Sequence, residues 1–239
     1  MDNFIQQAFY FAKFHHEKDC SGHDFSHILR VYQNACTLLN KTKNADAFVV
    51  KISALLHDID DRKLNFGEKQ TEEFLTKIHI PTNKIHIILD TINSIGFSTT
   101  GTNPNLDSIE KKILFDADKL DALGSIGICR TIMYGTGKNT PLFDAEIFPK
   151  ENLTKEEYSD LNRANHTIIH HFFDKLLKLP NIMQTESGKI EAQKRQKIMI
   201  QFLNEFFREQ EQEKWINFLN SYLQTINNTQ KTTPNLYRE

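Results

Sequence analysis

The chain of 239 residues carries 29 basic and 31 acidic side chains, and this net charge of −2 excludes the strong positive field of a dedicated nucleic-acid or membrane-surface binder. Hydrophobic residues make up 39% and charged residues 25%, a balance typical of a soluble globular protein. Cys20, Cys36 and Cys129 form no CxxC pair, so neither a disulfide framework nor a thiolate zinc site is expected. Because the sequence shows no signal-peptide pattern and no apolar run near the roughly 18 residues of a membrane span, we expect a cytoplasmic protein with no membrane or stable nucleic-acid partner.

Apolar residues recur at three- and four-residue intervals almost throughout, and no alternating strand pattern interrupts them, so the sequence predicts an all-α fold. In the first half of the chain, the predicted helices are one marked by Phe4 to Phe11, one from Ile28 to Leu39, one capped by Asp46, and two short helices over 72–78 and 83–95. In the second half, Ser108 begins a helix, a further helix covers 128–134, and another runs from Thr154 to Leu179. The last predicted helix begins at Ser187 and is interrupted near 208–214.

These helices are expected to form one domain over residues 1–226. Residues 20–135 carry the motifs discussed below, and the helices over 154–226 are expected to complete the core. The polar segment 227–239 is expected to fray. The amphipathic C-terminal helices also leave room for a homodimer.

Two adjacent side chains that can bind a metal, His57 and Asp58, follow the apolar run Ala54-Leu-Leu. Neighbours on a helix point about 100° apart, so both side chains face one ion only where the helix ends. A histidine nitrogen with a carboxylate oxygen suits Mn²⁺, Fe²⁺, Co²⁺, Ni²⁺ or Zn²⁺ better than Ca²⁺ or Mg²⁺. Alone, the dipeptide fits an ordinary solvated helix end equally well.

Two further segments carry candidate ligands. His27 lies on the inward apolar stripe of the second helix, where a histidine is more often a hydrogen-bonded core residue than a ligand. Asp118 lies among apolar residues on the helix over 116–123, where a buried carboxylate is costly unless it is paired or bound to a cation. Either Lys119, Arg130 and nearby donors satisfy this carboxylate, or a metal does.

The order H…HD…D resembles the HD-domain metal-dependent phosphohydrolases, and within them the stand-alone bacterial subgroup of YpgQ-like and YedJ-like proteins. The local forms are HDxxHxxRV at 23–31, LLHDIxD at 55–61 and DADxLDALGxIGIxRT at 116–131. A weaker similarity to the same subgroup follows at 171–179 and at 183–185. Three motifs in the right order are far more specific than any one of them.

The resemblance implies that His27, His57, Asp58 and Asp118 hold one divalent transition metal, with Mn²⁺ the first choice and Fe²⁺, Co²⁺, Ni²⁺ or Zn²⁺ as alternatives. Such an ion lowers the pKa of bound water from about 15.7 toward ~7 and polarises a phosphoryl group. The expected substrate is a small phosphorylated molecule, with a nucleotide as the first choice. The expected reaction is cleavage of a nucleoside triphosphate to monophosphate and pyrophosphate, or of a phosphomonoester.

Residues close to the motifs supply the remaining candidates. Lys119 follows the last ligand directly and is the first candidate for a phosphate contact, followed by Lys63 and Arg130. Arg130 is equally suited to an ion pair between helices. Asp61, four residues past His57, is the candidate to orient the attacking water or to protonate the leaving group, although it fits a helix cap as well.

Two other functions fit part of the pattern. A nucleotide-binding sensor would use the same fold and metal with little turnover. A di-iron oxygenase would need a second metal held by His79 or His86. Because Pro81 lies between these two histidines, they need not share a helix face, and we expect one metal. A purely structural helical protein does not explain three motifs in order.

Overall fold

Helices account for every regular element in the parts of the chain that the computed structural model describes, which are residues 3–17, 24–60, 69–95, 106–150 and 166–232. This confirms the predicted all-α class. In chain order the elements are α1 (Asn3–His16), α2 (Phe25–Leu39), α3 (Ala47–Leu56), α4 (Gln70–Lys77), α5 (Thr82–Asn93), α6 (Ile109–Asp121), α7 (Gly124–Gly137), α8 (Ile168–Asp174), a 3₁₀ helix (Leu176–Ile182), α9 (Glu186–Glu209) and α10 (Glu213–Thr232).

Local capping residues set the start of the two helices that matter most for the site. Asp24 caps α2 by accepting a hydrogen bond from the backbone N–H of His27 at 2.9 Å. Asp46 caps α3, as predicted, by accepting from the N–H groups of Phe48 and Val49 at 3.0 and 3.2 Å. Each cap satisfies backbone donors that the first helical turn leaves without a partner.

The chain divides into two compact units. The first comprises Met1–Asp121 with Ile182–Glu191, and the second comprises Ala122–Asn181 with Ala192–Glu239. One boundary between the units, after Glu191, therefore falls within α9. Whether residues 1–226 behave as the single domain expected from the sequence stays a prediction.

Buried apolar side chains of the first five helices and their connections form the core of the first unit. They are Ile5, Ala8, Ala12, Ile28, Val49, Ile52, Leu55, Leu56, Ile59, Leu75, Ile80, Ile85 and Ile88. Within this unit α2 packs against both α3 and α6, and α3 packs against α1, α5 and α6. Because α3 is enclosed on several sides, its C-terminal end is held in a fixed place next to α2 and α6.

Aromatic rings form the core of the second unit around Trp215, which is fully buried. Its indole stacks on Phe148 with ring centroids 4.5 Å apart, and Phe143 and Phe207 approach it to 5.0 and 5.2 Å. The indole Nε1 donates a hydrogen bond to the carbonyl of Ala145 at 3.0 Å, which satisfies the one polar atom of the ring.

Several predicted boundaries differ from the structure. The continuous helix predicted up to Leu179 is wrong, because Thr167 caps a new helix, α8, through a capping box with His170, and a 3₁₀ helix that contains Pro180 follows it. The predicted capping residue Thr154 lies outside the described residues. Helix α7 starts at Gly124 rather than at 128, with a φ of 73° that suits glycine.

At the C-terminal end, α10 continues to Thr232, beyond position 227 where the frayed segment was expected to begin. The predicted interruption near 208–214 is confirmed by the break between α9 and α10. None of the described helices combines the length and apolarity that crossing a membrane requires.

Candidate metal centre

The His57–Asp58 doublet lies just beyond the last residue of α3, as the sequence predicted. His57 is the C-cap residue, and the chain turns there. The His57 Nδ1 donates to the carbonyl of Ala54 at 3.1 Å, and because a carbonyl only accepts, the proton lies on Nδ1. The lone pair of His57 is therefore on Nε2, which lies 3.4 Å from Asp58 Oδ2.

Helices α2 and α6 bring the other two predicted ligands to the same place. The His27 Nε2 lies 3.4 Å from Asp58 Oδ2 and 3.8 Å from Asp118 Oδ1. One ligand atom each from His27, His57 and Asp118 lie within 4.8 Å of one another. Thus the structure brings all four residues of the predicted ligand set together in the first unit, although they come from two helices and from the turn that follows a third.

The chemistry of this group fits a divalent cation. The His57 Nε2 is buried and has no hydrogen-bond partner among the described residues. A buried polar atom without a partner costs about 1–3 kcal/mol, and a bound cation removes that cost. Two imidazole nitrogens with two carboxylates form a donor set suited to the first-row transition metals.

Electrostatic interactions keep Asp118 ionised. Burial alone would raise the pKa of Asp118, but the positive charge of Lys119 and the contributions of His57 and His27 outweigh burial and lower this pKa well below its usual range. The Lys119 Nζ donates to Asp118 Oδ2 at 2.7 Å. It also approaches the carbonyl of Ile95 at 3.4 Å, and Lys119 is only 6% exposed.

A second carboxylate of α6, Asp121, orients one of the histidines. Its Oδ2 accepts from His27 Nδ1 at 2.7 Å, while Arg30 donates through Nε to Oδ1 at 2.6 Å and through Nη2 to Oδ2 at 3.1 Å. Burial opposes the charged form of Arg30, but the hydrogen bond and the charge of Asp121 raise the Arg30 pKa overall. The sequence reasoning missed this pair; the available signal was that Arg30 and Asp121 each lie three residues after a predicted ligand.

A third carboxylate, Asp116, binds the start of α9 instead of the cluster. It is fully buried and accepts hydrogen bonds from the backbone N–H groups of Gln184 and Thr185 at 2.8 and 2.7 Å, and from Thr185 Oγ1 at 2.7 Å. Burial raises the pKa of Asp116 to about 6, although these hydrogen bonds oppose the shift. The sequence did not predict this contact between Asp116 and residues 184 and 185.

The remaining predicted residues have different outcomes. Asp61 and Lys63 lie outside the described residues. Arg130 is a half-buried residue of α7 in the second unit, and its role in substrate binding stays a prediction. His79 and His86 are solvent-exposed, and neither belongs to the group of candidate ligands formed by the described residues.

Comparison with known proteins identifies the family. The model of the HD domain family matches residues 24–123, the segment that contains all four predicted ligands. The chain is 30% identical to the Bacillus subtilis protein YpgQ over 192 residues, which cover 78% of this chain and 84% of YpgQ.

Solved structures agree with this assignment. The crystal structure of an HD-superfamily hydrolase from Bacillus thuringiensis matches with a TM-score of 0.68 at 33% identity. The match covers 87% of this chain and 97% of the hydrolase chain. The crystal structure of Bacillus subtilis YpgQ in complex with ADP also gives a TM-score of 0.68, at 27% identity and with coverage of 86% and 97%. The chain therefore belongs to the HD-domain family and has the fold of the HD-superfamily hydrolases.

Proposed function

We propose that this protein is a metal-dependent phosphohydrolase acting on nucleotides, with one divalent transition metal held by His27, His57, Asp58 and Asp118. The observation that carries the proposal is the buried His57 Nε2, which has no hydrogen-bond partner in the described part of the chain and lies among carboxylate oxygens and a second imidazole. Mn²⁺ is the first choice, because the mixed nitrogen and oxygen donor set suits it.

The side chains around the site prepare it for such an ion. His57 is held with its proton on Nδ1 by the carbonyl of Ala54, so that Nε2 remains available. Burial opposes the charged form of Asp118, but the positive charge of Lys119 lowers the pKa of this carboxyl, so Asp118 stays ionised at neutral pH. When bound, a divalent cation lowers the pKa of a coordinated water and polarises a phosphoryl oxygen, the chemistry that phosphate hydrolysis needs.

Lys119 is the proposed phosphate contact. Its ammonium group is held beside Asp118 Oδ2, next to the cluster, and negative charge grows on the phosphoryl oxygens as the scissile bond breaks. Lys63 is proposed as a further phosphate contact. Asp61 is proposed to orient the water or to protonate the leaving group, since it follows the doublet by only a few residues.

The structure of YpgQ in complex with ADP supports a nucleotide as the substrate class. The proposed reaction is hydrolysis of a nucleoside triphosphate to monophosphate and pyrophosphate, with cleavage of a phosphomonoester as the alternative. These two reactions release different products, pyrophosphate or inorganic phosphate, so a single assay distinguishes them.

The test is release of phosphate and pyrophosphate from a panel of nucleoside mono-, di- and triphosphates with added Mn²⁺. Wild type is compared with His57→Ala and with His86→Ala, an exposed histidine outside the cluster that serves as the matched control. We expect turnover that EDTA abolishes, that His57→Ala reduces by at least about 100-fold, and that His86→Ala retains. Equal activity of wild type and His57→Ala would contradict the proposal, and tight nucleotide binding with no product would favour a sensor.

Replacing Lys119 with methionine separates its proposed role from metal binding. Lys119→Met removes a positive charge beside Asp118, so Mn²⁺ should bind at least as tightly as in wild type. Turnover should fall about 100-fold if the ammonium contacts the transferring phosphoryl group. Unchanged turnover, measured together with the Mn²⁺ dissociation constant, would exclude Lys119 as a phosphate contact.

A further inference from the structure

We infer that Asp121, fixed by Arg30, is a positioning residue that holds His27 with its proton on Nδ1 and thereby sets the metal affinity of the centre. This inference deepens the proposed function and rests on it. It concerns residues outside the four proposed ligands.

Geometry fixes the direction of the hydrogen bond. The Asp121 side chain is 1% exposed, and its Oδ2 lies 2.7 Å from His27 Nδ1. A carboxylate paired with a guanidinium accepts and does not donate, so Nδ1 must be the donor. The lone pair of His27 is then on Nε2, the atom that lies 3.4 Å from Asp58 and 3.8 Å from Asp118.

Arg30 fixes the plane of the Asp121 carboxylate. Its Nε and Nη2 donate to the two different oxygens at 2.6 and 3.1 Å, a two-point contact that a lysine does not reproduce. Arg30 also compensates the Asp121 charge. Without the guanidinium, the buried negative charge of Asp121 beside His27 would lose a cationic partner, which is costly.

Asp116 offers a matched control on the same helix. Like Asp121 it is a fully buried carboxylate of α6 that accepts hydrogen bonds, but its partners are Gln184 and Thr185. Replacing either aspartate by asparagine removes a buried charge and weakens the fold. Only the change at Asp121 acts on the tautomer of His27.

Asparagine at position 121 should reverse the hydrogen bond. Arg30 offers only donors, so the amide oxygen should turn toward Arg30 and the amide NH₂ toward His27 Nδ1. The proton of His27 then moves to Nε2, which removes the lone pair that faces the cluster. Second-shell partners of this kind typically change metal affinity by about 10- to 100-fold.

Two measurements test the inference. The first is the long-range ¹H–¹⁵N correlation spectrum of the histidine rings in the metal-free protein, which reports the protonated nitrogen. We expect Nδ1 to carry the proton of His27 in wild type and in Asp116→Asn, and Nε2 to carry it in Asp121→Asn. The second is calorimetric titration with Mn²⁺, in which Asp121→Asn should bind about 10- to 100-fold more weakly than wild type and Asp116→Asn within about threefold of it.

The outcomes separate the two proposals. Equal Mn²⁺ affinity of Asp121→Asn and wild type, or an equal loss in Asp116→Asn, would overturn the positioning role and leave the metal centre intact. Failure of the wild-type protein to bind Mn²⁺, or any of the other four metals, would overturn the proposed function itself. If Asp121→Asn does not fold, Arg30→Lys is used instead, because the Arg30 side chain is partly exposed and its replacement disturbs the core less. An Mn²⁺ affinity of Arg30→Lys equal to that of wild type would overturn the role given to the guanidinium.

Discussion

Gly188 permits the close contact between α9 and the buried carboxylate of α6. A Cβ added at Gly188 would lie 2.2 Å from Asp116 Oδ2 and 2.8 Å from Thr185 Oγ1. Both atoms belong to the hydrogen-bonded group that fixes the start of α9. The substitution Gly188→Ala therefore cannot be accommodated unless the carboxylate moves.

The expected cost follows from three contributions. Overpacking of a dense interior costs about 1–3 kcal/mol. Disturbing a hydrogen bond to a charged acceptor costs roughly 1.5–3 kcal/mol. Alanine regains about 1 kcal/mol because it is the better helix former. The sum predicts that Gly188→Ala lowers the free energy of unfolding by roughly 1.5–5 kcal/mol, although helix propensity alone predicts stabilisation.

Thermal unfolding followed by circular dichroism measures this effect. At about 2–4 °C per kcal/mol for a chain of this size, Tm should fall by roughly 3–20 °C. Gly137→Ala is the control, because nothing lies within 4 Å of a Cβ added at this exposed helical glycine, and its Tm should stay equal or rise slightly. A Tm of Gly188→Ala at or above that of wild type would refute the packing argument.

Two further substitutions test the folds of the units separately. Asp46→Ala removes the cap of α3 and should lower the free energy of unfolding in urea by about 1 kcal/mol at pH 7. Burial opposes the charged form of Asp46, but hydrogen bonds from Lys84 and from the N-terminus of α3 lower its pKa overall, so the stability difference from wild type should be fully present above pH 3.8 and shrink as the pH falls through the lowered pKa of the folded state. A stability difference that grows in acid would contradict this prediction. Trp215→Phe deletes a buried hydrogen bond to the carbonyl of Ala145 and leaves a cavity, so it should lower the free energy of unfolding by roughly 2–4 kcal/mol in the same urea measurement. A decrease below about 0.5 kcal/mol would show that Trp215 is not the centre of the core of the second unit.

Periodicity and capping predicted most of the helices because both are local properties of the sequence. Asp46 begins α3, and the charged stretch near 208–214 separates α9 from α10, as expected. The helix predicted up to Leu179 failed for a local reason as well. Thr167 binds His170 in a capping box without the usual Glu or Gln, so the capping signature was hidden.

The candidate ligands were predictable, but the separate roles of the α6 carboxylates were not. On an ideal helix Asp118 and Asp121 lie about 60° apart, while Asp116 points about 160° away from Asp118. The sequence shows this spacing, but it does not show which neighbour lies on each side. Only the packing of α2 against α6 assigns Asp121 to His27, and only the position of Thr185 assigns Asp116 to α9.

The central claim is that one divalent cation binds where His27, His57, Asp58 and Asp118 meet. Calorimetric titration of Mn²⁺ into the metal-stripped protein, in parallel for wild type and His57→Ala, tests it most directly. We expect one ion per chain for wild type, and for His57→Ala a loss of affinity greater than the roughly 100-fold that an orienting residue causes. Binding of Mn²⁺ with the same affinity and stoichiometry in both proteins would contradict a metal centre at these four residues.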